Sequence, residues 1–525
     1  MFKKSDNYKQ EYCAQIVKIG ELVPIENSDF LARTVVNGFN VVVGKDDVKE
    51  GEIMVYAKLE TEVNADFLSV NNQFEIGERH LNKNYEEVQA LIDEGKTDEA
   101  KKLVGYFNKY GRVRIVKLRK CPSEGCLFKI DSLAKWKPEV ANYDFSQCFI
   151  PNEDGIVEPF CFDTIGDDLF VKAWVPRISN KEQARANKAA KRNRRLKRFD
   201  RMIEGQFSFH YDTNQVADNM WRFNPDTMVT ISTKWHGTSH IVGRVLVKKP
   251  LPASLPRKIE NKRKSRQLKY LYKAERRFYW QKFVVKNKID SIKNYLNSQY
   301  TVDYGKVTSS RGVIKNQYIN QGVTHGYYGV DIWTSYGDLL YPYLIDGMQV
   351  FSEIVGYVTG GQSMIQKGYD YGCAPGTNKI MPYRITVNNP DGGVTEWDVM
   401  EVYGWTLQLL KEHPELKDNV VPIDILYHGT LGALYPDIDP QLHWNDNVLK
   451  AMRNDKEHFK MEENEPACKN KVPREGIVIR IDGDTKSEAF KLKTYAFLGK
   501  EAELMDKGEV DMEMQDAYGD NGSDS

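Results

Sequence analysis

The chain has 525 residues, 41% of them hydrophobic and 28% charged, and its 74 basic and 74 acidic side chains cancel. This is a globular profile with more than one core, because domains run to about 100–200 residues. No stretch approaches the roughly 20 unbroken apolar residues of a membrane span, and MFKKSDNYKQEY lacks the apolar core of a signal peptide. Seven scattered cysteines, an odd number, fit reduced thiols in the cytoplasm. Cys121 and Cys126 form one close pair without the further ligands a structural zinc wants.

Residues 10–60 alternate apolar and polar runs (YCAQIVKI, ARTVVNGFNVVVG, EIMVYAKL), with Asn37-Gly38 a tight-turn pair. Apolar positions at three- and four-residue spacing predict a helix over 85–107. Strands resume at VRIVKL and CLFKID, so an OB-like β-barrel is expected within residues 1–140, although a sandwich would read similarly. Residues 141–227 read as a linker with a basic helical segment. Its stretch at 180–203 suits either a solvated helix or contact with a phosphate backbone. From 228 to 500, strand-like runs (MVTISTKW, SHIVGRVLV, MQVFSEIVGYV, EGIVIRID, EAFKLKTY) mix with helical ones (VMEVYGWTLQLLKEH, NDNVLKAMRNDKEHFK), an α+β domain. It carries a basic insert at about 250–300, where Tyr, Phe and Trp interleave with Lys and Arg over 256–288. That pattern suits base stacking or an amphipathic helix with its aromatics inward. The acidic tail at 501–525 is expected to be disordered.

The strongest local signal is Lys234-Trp235-His236-Gly237-Thr238-Ser239, between two predicted strands. A lysine at a strand end, followed closely by glycine, can be held rigidly while a phosphate approaches. It becomes a nucleophile only when its pKa of about 10.4 is lowered or its proton is removed. Downstream, Thr308-Ser309-Ser310-Arg311 ends in an arginine suited to forked phosphate contact. Val350–Gly356 and Arg474–Arg480 each set one acid, Glu353 and Glu475, in an apolar strand. Such an acid is costly without a partner. Ala489–Lys493 puts Lys491 and Lys493 on one strand face. Two acids and several cations make a pocket that could neutralise a triphosphate and hold a divalent metal.

This ordered series resembles the motifs of the covalent nucleotidyltransferases: DNA ligases, RNA ligases and mRNA capping enzymes. The KxHG form resembles the T4 RNA ligase 2 group and the Deinococcus-type RNA ligases, the latter with an N-terminal OB-like domain. DYGKVTSSRGVIKN and VVPIDILYHGTL resemble segments of the same group. The resemblance implies an ATP-dependent RNA ligase that uses Mg²⁺ or Mn²⁺, acts on RNA ends or a nicked RNA duplex, needs no membrane, and works as a monomer. It makes Lys234 the adenylylated residue and has Lys491 and Lys493 bind phosphates and promote attack. Arg311 would contact nucleotide and RNA phosphate, Glu353 the ribose, and Glu475 the metal. His236, beside Gly237 of the motif, would lie near the phosphates or serve in packing. Tyr383 is the expected adenine-stacking residue, with Trp397 the alternative. Ser239 departs from the asparagine of the T4 RNA ligase 2 pattern. A GTP-using capping enzyme, a DNA ligase and a non-catalytic RNA-binding protein are the competing readings.

Overall fold

A computed structural model of the protein describes residues 1–153, 157–175, 203, 205–210, 213–277, 282–312, 314–315, 330–441, 443–483 and 488–506. The basic stretch predicted at 180–203, apart from residue 203, and the acidic tail beyond 506 lie outside the described residues.

The N-terminal half is built on short strands: β1 (Ala14–Lys18), β2 (Leu31–Val36), β3 (Phe39–Gly44), β4 (Ile53–Ala57), β5 (Cys126–Lys129) and β6 (Phe160–Phe162). The hairpin β2–β3 turns over Asn37-Gly38 with φ of 45° and 79°, the two left-handed positions that Asn-Gly accepts. β3 buries Phe39, Val41 and Val43 in strict alternation, as a strand with one wet face should. One antiparallel sheet runs β5-β4-β1-β6, and another joins β2 and β3 to Val23–Pro24. Among the described residues no ladder closes these sheets into a barrel. The OB-like expectation is therefore met in its short antiparallel strands and not in closure. The helix expected over 85–107 is two helices, α1 (Tyr85–Asp93) and α2 (Thr97–Lys102). Gly95 between them takes φ 77°, a left-handed stop that ends the first helix.

Beyond residue 228 the chain is α+β, as expected. Its elements are β7 (Met228–Lys234), β8 (Thr238–Pro250), α3 (Leu255–Arg277), α4 (Lys282–Asn297), β9 (Tyr300–Ser309), α5 (Ile332–Leu340), β10 (Met348–Gly356), β11 (Asn378–Asn388), β12 (Val394–Glu396), α6 (Val399–Glu412), β13 (Ile425–Thr430), α7 (Trp444–Asn454), β14 (Gly476–Ile481), β15 (Ala489–Lys493) and α8 (Tyr495–Asp506). They build two five-stranded sheets. One is ordered β9-β8-β10-β11-β12. The other is β15-β14-β7-β13, with Asn214–Gln215 added in parallel beside β15. The three residues after Lys234 thus carry the chain from one sheet to the other, and Lys234 stands where the sheets part. α7 stops at Asn454, short of the predicted run to residue 460. There the Asp455 carboxylate accepts the His458 N–H at 2.7 Å and turns the chain.

The two halves share a core. Val229, Ile231, Ile477, Ile479, Phe490 and Leu492, behind β7, β14 and β15, pack in one cluster with Val36, Phe39 and Val41 of the N-terminal hairpin. Gly38 sits so close to α7 that a Cβ there would lie 2.2 Å from Leu449 Cδ2. No helix among the described residues is long and apolar enough to cross a membrane.

Candidate active site

Lys234 is the last residue of β7 and pairs with Gly476 on β14. Gly476 has φ 147°, and a Cβ there would meet the Leu492 carbonyl oxygen at 2.0 Å, so no larger residue fits. The close approach fixes the residue just before it, Glu475, beside the lysine: Lys234 Nζ lies 3.0 Å from Glu475 Oε1. Backbone and side chain both hold that register. The Thr494 N–H donates to the Glu475 carbonyl at 3.0 Å, the Thr494 hydroxyl donates to the Arg474 carbonyl at 2.6 Å, and Arg474 donates to the Thr233 hydroxyl. Arg474 opens the Arg474–Arg480 segment, where sequence alone assigns it no role, and here it ties together the two segments that carry Lys234 and Glu475.

The turn after the lysine is pinned at each residue. The Trp235 ring lies 4.9 Å from Tyr371. The His236 N–H donates to the Tyr371 hydroxyl at 2.7 Å, and the imidazole sits edge-on to Tyr369 and Phe497 at 4.9 and 5.0 Å. Its Nδ1 is also 3.7 Å from Glu475 Oε2, so His236 is both a packing residue and a neighbour of the acid. The Gly237 N–H donates to Glu353 Oε1 at 2.9 Å. A Cβ at Gly237 would lie 2.3 Å from the Ile354 carbonyl oxygen, which is why glycine stands there. Glu353 is the one half-exposed residue in an otherwise buried β10, and in this state it fastens the lysine loop.

β15 behaves as its period predicts: Phe490 and Leu492 face the core, and Lys491 and Lys493 share the other face. Lys493 lies 3.0 Å from Glu501 of α8 and 3.9 Å from Glu475. Lys491 pairs with Glu11, a residue of the N-terminal half. Burial raises the Glu11 carboxyl, but Lys491, Lys493 and Arg311 outweigh it and hold the group below its usual value. His210 is held well below an ordinary histidine by burial and then by Arg311, Lys234, Lys491 and Arg384. Lys234, Lys491, Lys493 and Arg311, all named from sequence, therefore converge on one place. Glu11 and His210, which no motif marked, stand among them.

His210 Nδ1 lies 3.1 Å from the Tyr383 hydroxyl. Tyr383 occupies a bulge in β11, where Phe351 pairs with Arg384 and Ser352 with Pro382; such an extra residue is re-aimed relative to its neighbours. It packs with Phe207, Ile241 and Phe351. Phe351 and Glu353 are two apart on β10, so Tyr383 is on the Glu353 side of the sheet. Trp397 packs instead in the cluster of Val350, Ile385 and Val402, on the other side.

A divalent metal finds one prepared oxygen. Glu475 is 3% exposed, and its Oε2 has no hydrogen-bond partner among the described residues. No group of three His, Cys, Asp or Glu among the described residues could hold a metal. That donor set fits Mg²⁺ or Mn²⁺ bound by one carboxylate, water and substrate phosphates rather than by a protein cage.

No protein-family model matches the sequence, and no curated protein matches it significantly. Among solved structures, the chain is similar to Naegleria gruberi RNA ligase with pyrophosphate at 14% identity and a TM-score of 0.46, covering 94% of this chain and 100% of that one. A mutant of the same ligase with ATP and manganese gives 15% identity and 0.46, covering 93% and 98%. Another with AMP and manganese gives 15% and 0.45 over the same shares.

Proposed function

We propose that the chain is an ATP-dependent RNA ligase that works through AMP bound to Nζ of Lys234. The observation that carries this reading is the placement of Lys234 Nζ 3.0 Å from a buried carboxylate, beside three further cations, Lys491, Lys493 and Arg311, whose fields meet at Glu11. Such a set suits a triphosphate approaching a lysine.

In the first step Lys234 Nζ attacks the α-phosphorus of ATP, the bond to the β-phosphate oxygen breaks, and pyrophosphate leaves. The attacking amine must lose the proton it shares with Glu475 in the ion pair at 3.0 Å. Lys491, Lys493 and Arg311 neutralise the developing phosphate charge, the main task in phosphoryl transfer. Glu475 would hold Mg²⁺ or Mn²⁺, which supplies further charge neutralisation at the phosphates. Glu353 keeps Gly237 and the lysine loop in place and would contact the ribose. Tyr383, on the same side of the sheet, offers an aromatic face for the base. AMP then passes to the 5′-phosphate of RNA, and a 3′-hydroxyl displaces it to seal the strand.

The test is sealing of a nicked RNA duplex carrying a 5′-phosphate, with ATP and Mg²⁺. The wild type should join the strand and release AMP, and Lys234→Ala should not. Joining by Lys234→Ala at the wild-type rate, or dependence on GTP instead of ATP, would remove this reading.

A further inference from the structure

The basic insert is an arm. β8 pairs with β10 only over Thr238–Gly243. Beyond that, the ladder of residues 244–250 is with β9 alone, a two-stranded ribbon of about 20 Å at the rise of a strand, whose base packs on the domain through Val245 and Val247 against Phe207 and Phe351. At its end α3 and α4 pack against each other, with Ile289 and Ile292 of α4 buried and Leu268 and Leu271 on the half-buried side of α3. The arm is fixed to the lysine site at both ends: β8 begins right after Gly237, and β9 ends two residues before Arg311.

α3 carries ten Lys and Arg against two Glu. Lys258, Lys262, Arg266 and Lys269 are all exposed and follow at four-, four- and three-residue steps. That spacing sets them in one row about 17 Å long on the face away from α4. Arg263 stands beside the row, and Ile259 and Tyr270 are 62% and 73% exposed there. Glu260, the one acid among residues 257–272, is turned to Tyr295 of α4. A helix whose charges served only its own stability would alternate signs, because like charges at i,i+4 cost a few tenths of a kcal/mol each. This row does the reverse, so it calls for an external polyanion. With one aromatic in the row it is a poor stacking platform for a single strand and a good match for the regular phosphates of a duplex.

We propose that this outer face of α3 binds the phosphate backbone of the RNA duplex flanking the nick. The proposal rests on the ligase reading above. From Thr238 to its end β8 spans about 40 Å, so contact needs roughly a dozen base pairs beyond the nick at about 3.4 Å per pair.

The experiment compares the full-length wild type with the combined variant Lys258→Gln, Lys262→Gln, Arg266→Gln and Lys269→Gln. Two nicked RNA duplexes are used, with about 20 and about 6 base pairs on each side of the nick. On the long duplex the variant should bind about 10- to 100-fold more weakly at low salt, with a plot of log affinity against log salt shallower by about 2 to 4. On the short duplex the two proteins should bind alike. Labelling with AMP and the melting temperature should be unchanged. Equal salt slopes on the long duplex, an equal loss on the short one, a larger loss on single-stranded RNA, or a fall in melting temperature would each overturn the proposal. Failure of the wild type to take AMP would instead overturn the ligase reading, with the salt-slope comparison still deciding whether the arm binds duplex.

Discussion

Lys491 and Lys493 stand two residues apart on one face of β15, yet opposite halves of the chain hold them. Lys493 is fastened within the C-terminal half, by Glu501 at 3.0 Å and Glu475 at 3.9 Å. Lys491 is fastened by Glu11, from a short helical turn near the start of the chain. Burial disfavours charge on both. At Lys493 the two glutamates outweigh it, and the proton is held more tightly than usual. At Lys491 Glu11 does not outweigh it, Lys493 and Lys234 push the same way as burial, and the pKa falls. One lysine is therefore a fixed charge of its own sheet. The other owes its partner to the docking of the N-terminal half.

Substitution should separate the two most widely. Lys493→Ala leaves Glu501 without its cation and Glu475 with Lys234 alone, and should cost about 2–4 kcal/mol of stability. It should also cut AMP transfer by about 10²- to 10³-fold. Lys491→Ala should cut AMP transfer comparably but cost about 1 kcal/mol, since Lys493 and Arg311 still neutralise Glu11. Chemical denaturation of both variants measures this, and equal losses of stability would erase the distinction.

Acid should sharpen it next. His240, wholly buried on β8 and 3.1 Å from the Trp333 carbonyl oxygen, is pushed down from 6.5 to about 3 by burial. Below pH 6.5 the unfolded chain binds a proton that the folded one refuses. This contribution is whole above pH 6.5 and drains as pH falls toward 3, at up to about 1.4 kcal/mol per pH unit. Glu11 also has a lowered pKa, so its contribution is present above the ordinary carboxylate range near 4.5 and is lost only below it. Between pH 6.5 and 4.5, His240→Asn should flatten the stability profile by roughly 2–3 kcal/mol, and Glu11→Gln should leave its slope unchanged. A steeper slope in Glu11→Gln would mean that burial, not the surrounding cations, governs that carboxyl.

The smallest effect concerns ATP itself. Glu11 holds negative charge among the cations assigned to the triphosphate, so Glu11→Gln should tighten ATP binding by about 3- to 10-fold, read by titration of the adduct-free protein. Weaker binding would show that the carboxylate supports the site rather than competing for it.

What the sequence disclosed follows the same line. Lys491 and Lys493 were legible because β15 alternates in burial, Glu353 because it is one charge inside an apolar run, and Lys234 and Glu475 because each is a charge set at the end of an apolar strand close to a glycine, Gly237 or Gly476. Asn37-Gly38 was legible because few other pairs accept two left-handed residues. Glu11 was not, since it lies 480 residues from Lys491 in a charged turn with no period, and only the packing of the two halves brings it in. His210 sits outside any motif spacing, and Arg474, though it opens the Arg474–Arg480 segment, acts through Thr233 on another strand, which spacing does not show. Tyr383 is preferred to Trp397 on sequence, but the bulge and the sheet face that set the two on opposite sides are not visible in alternation. The apolar spacing over 85–107 runs straight across Gly95, where the signal to stop was present.

The most direct measurement is the intact mass of the protein after incubation with ATP and Mg²⁺, beside Lys234→Ala and with GTP as control. One added AMP in the wild type, from ATP alone and absent in Lys234→Ala, is the predicted result. An adduct that survives Lys234→Ala, or none with either nucleotide in protein shown to be free of AMP at the start, would contradict the central assignment.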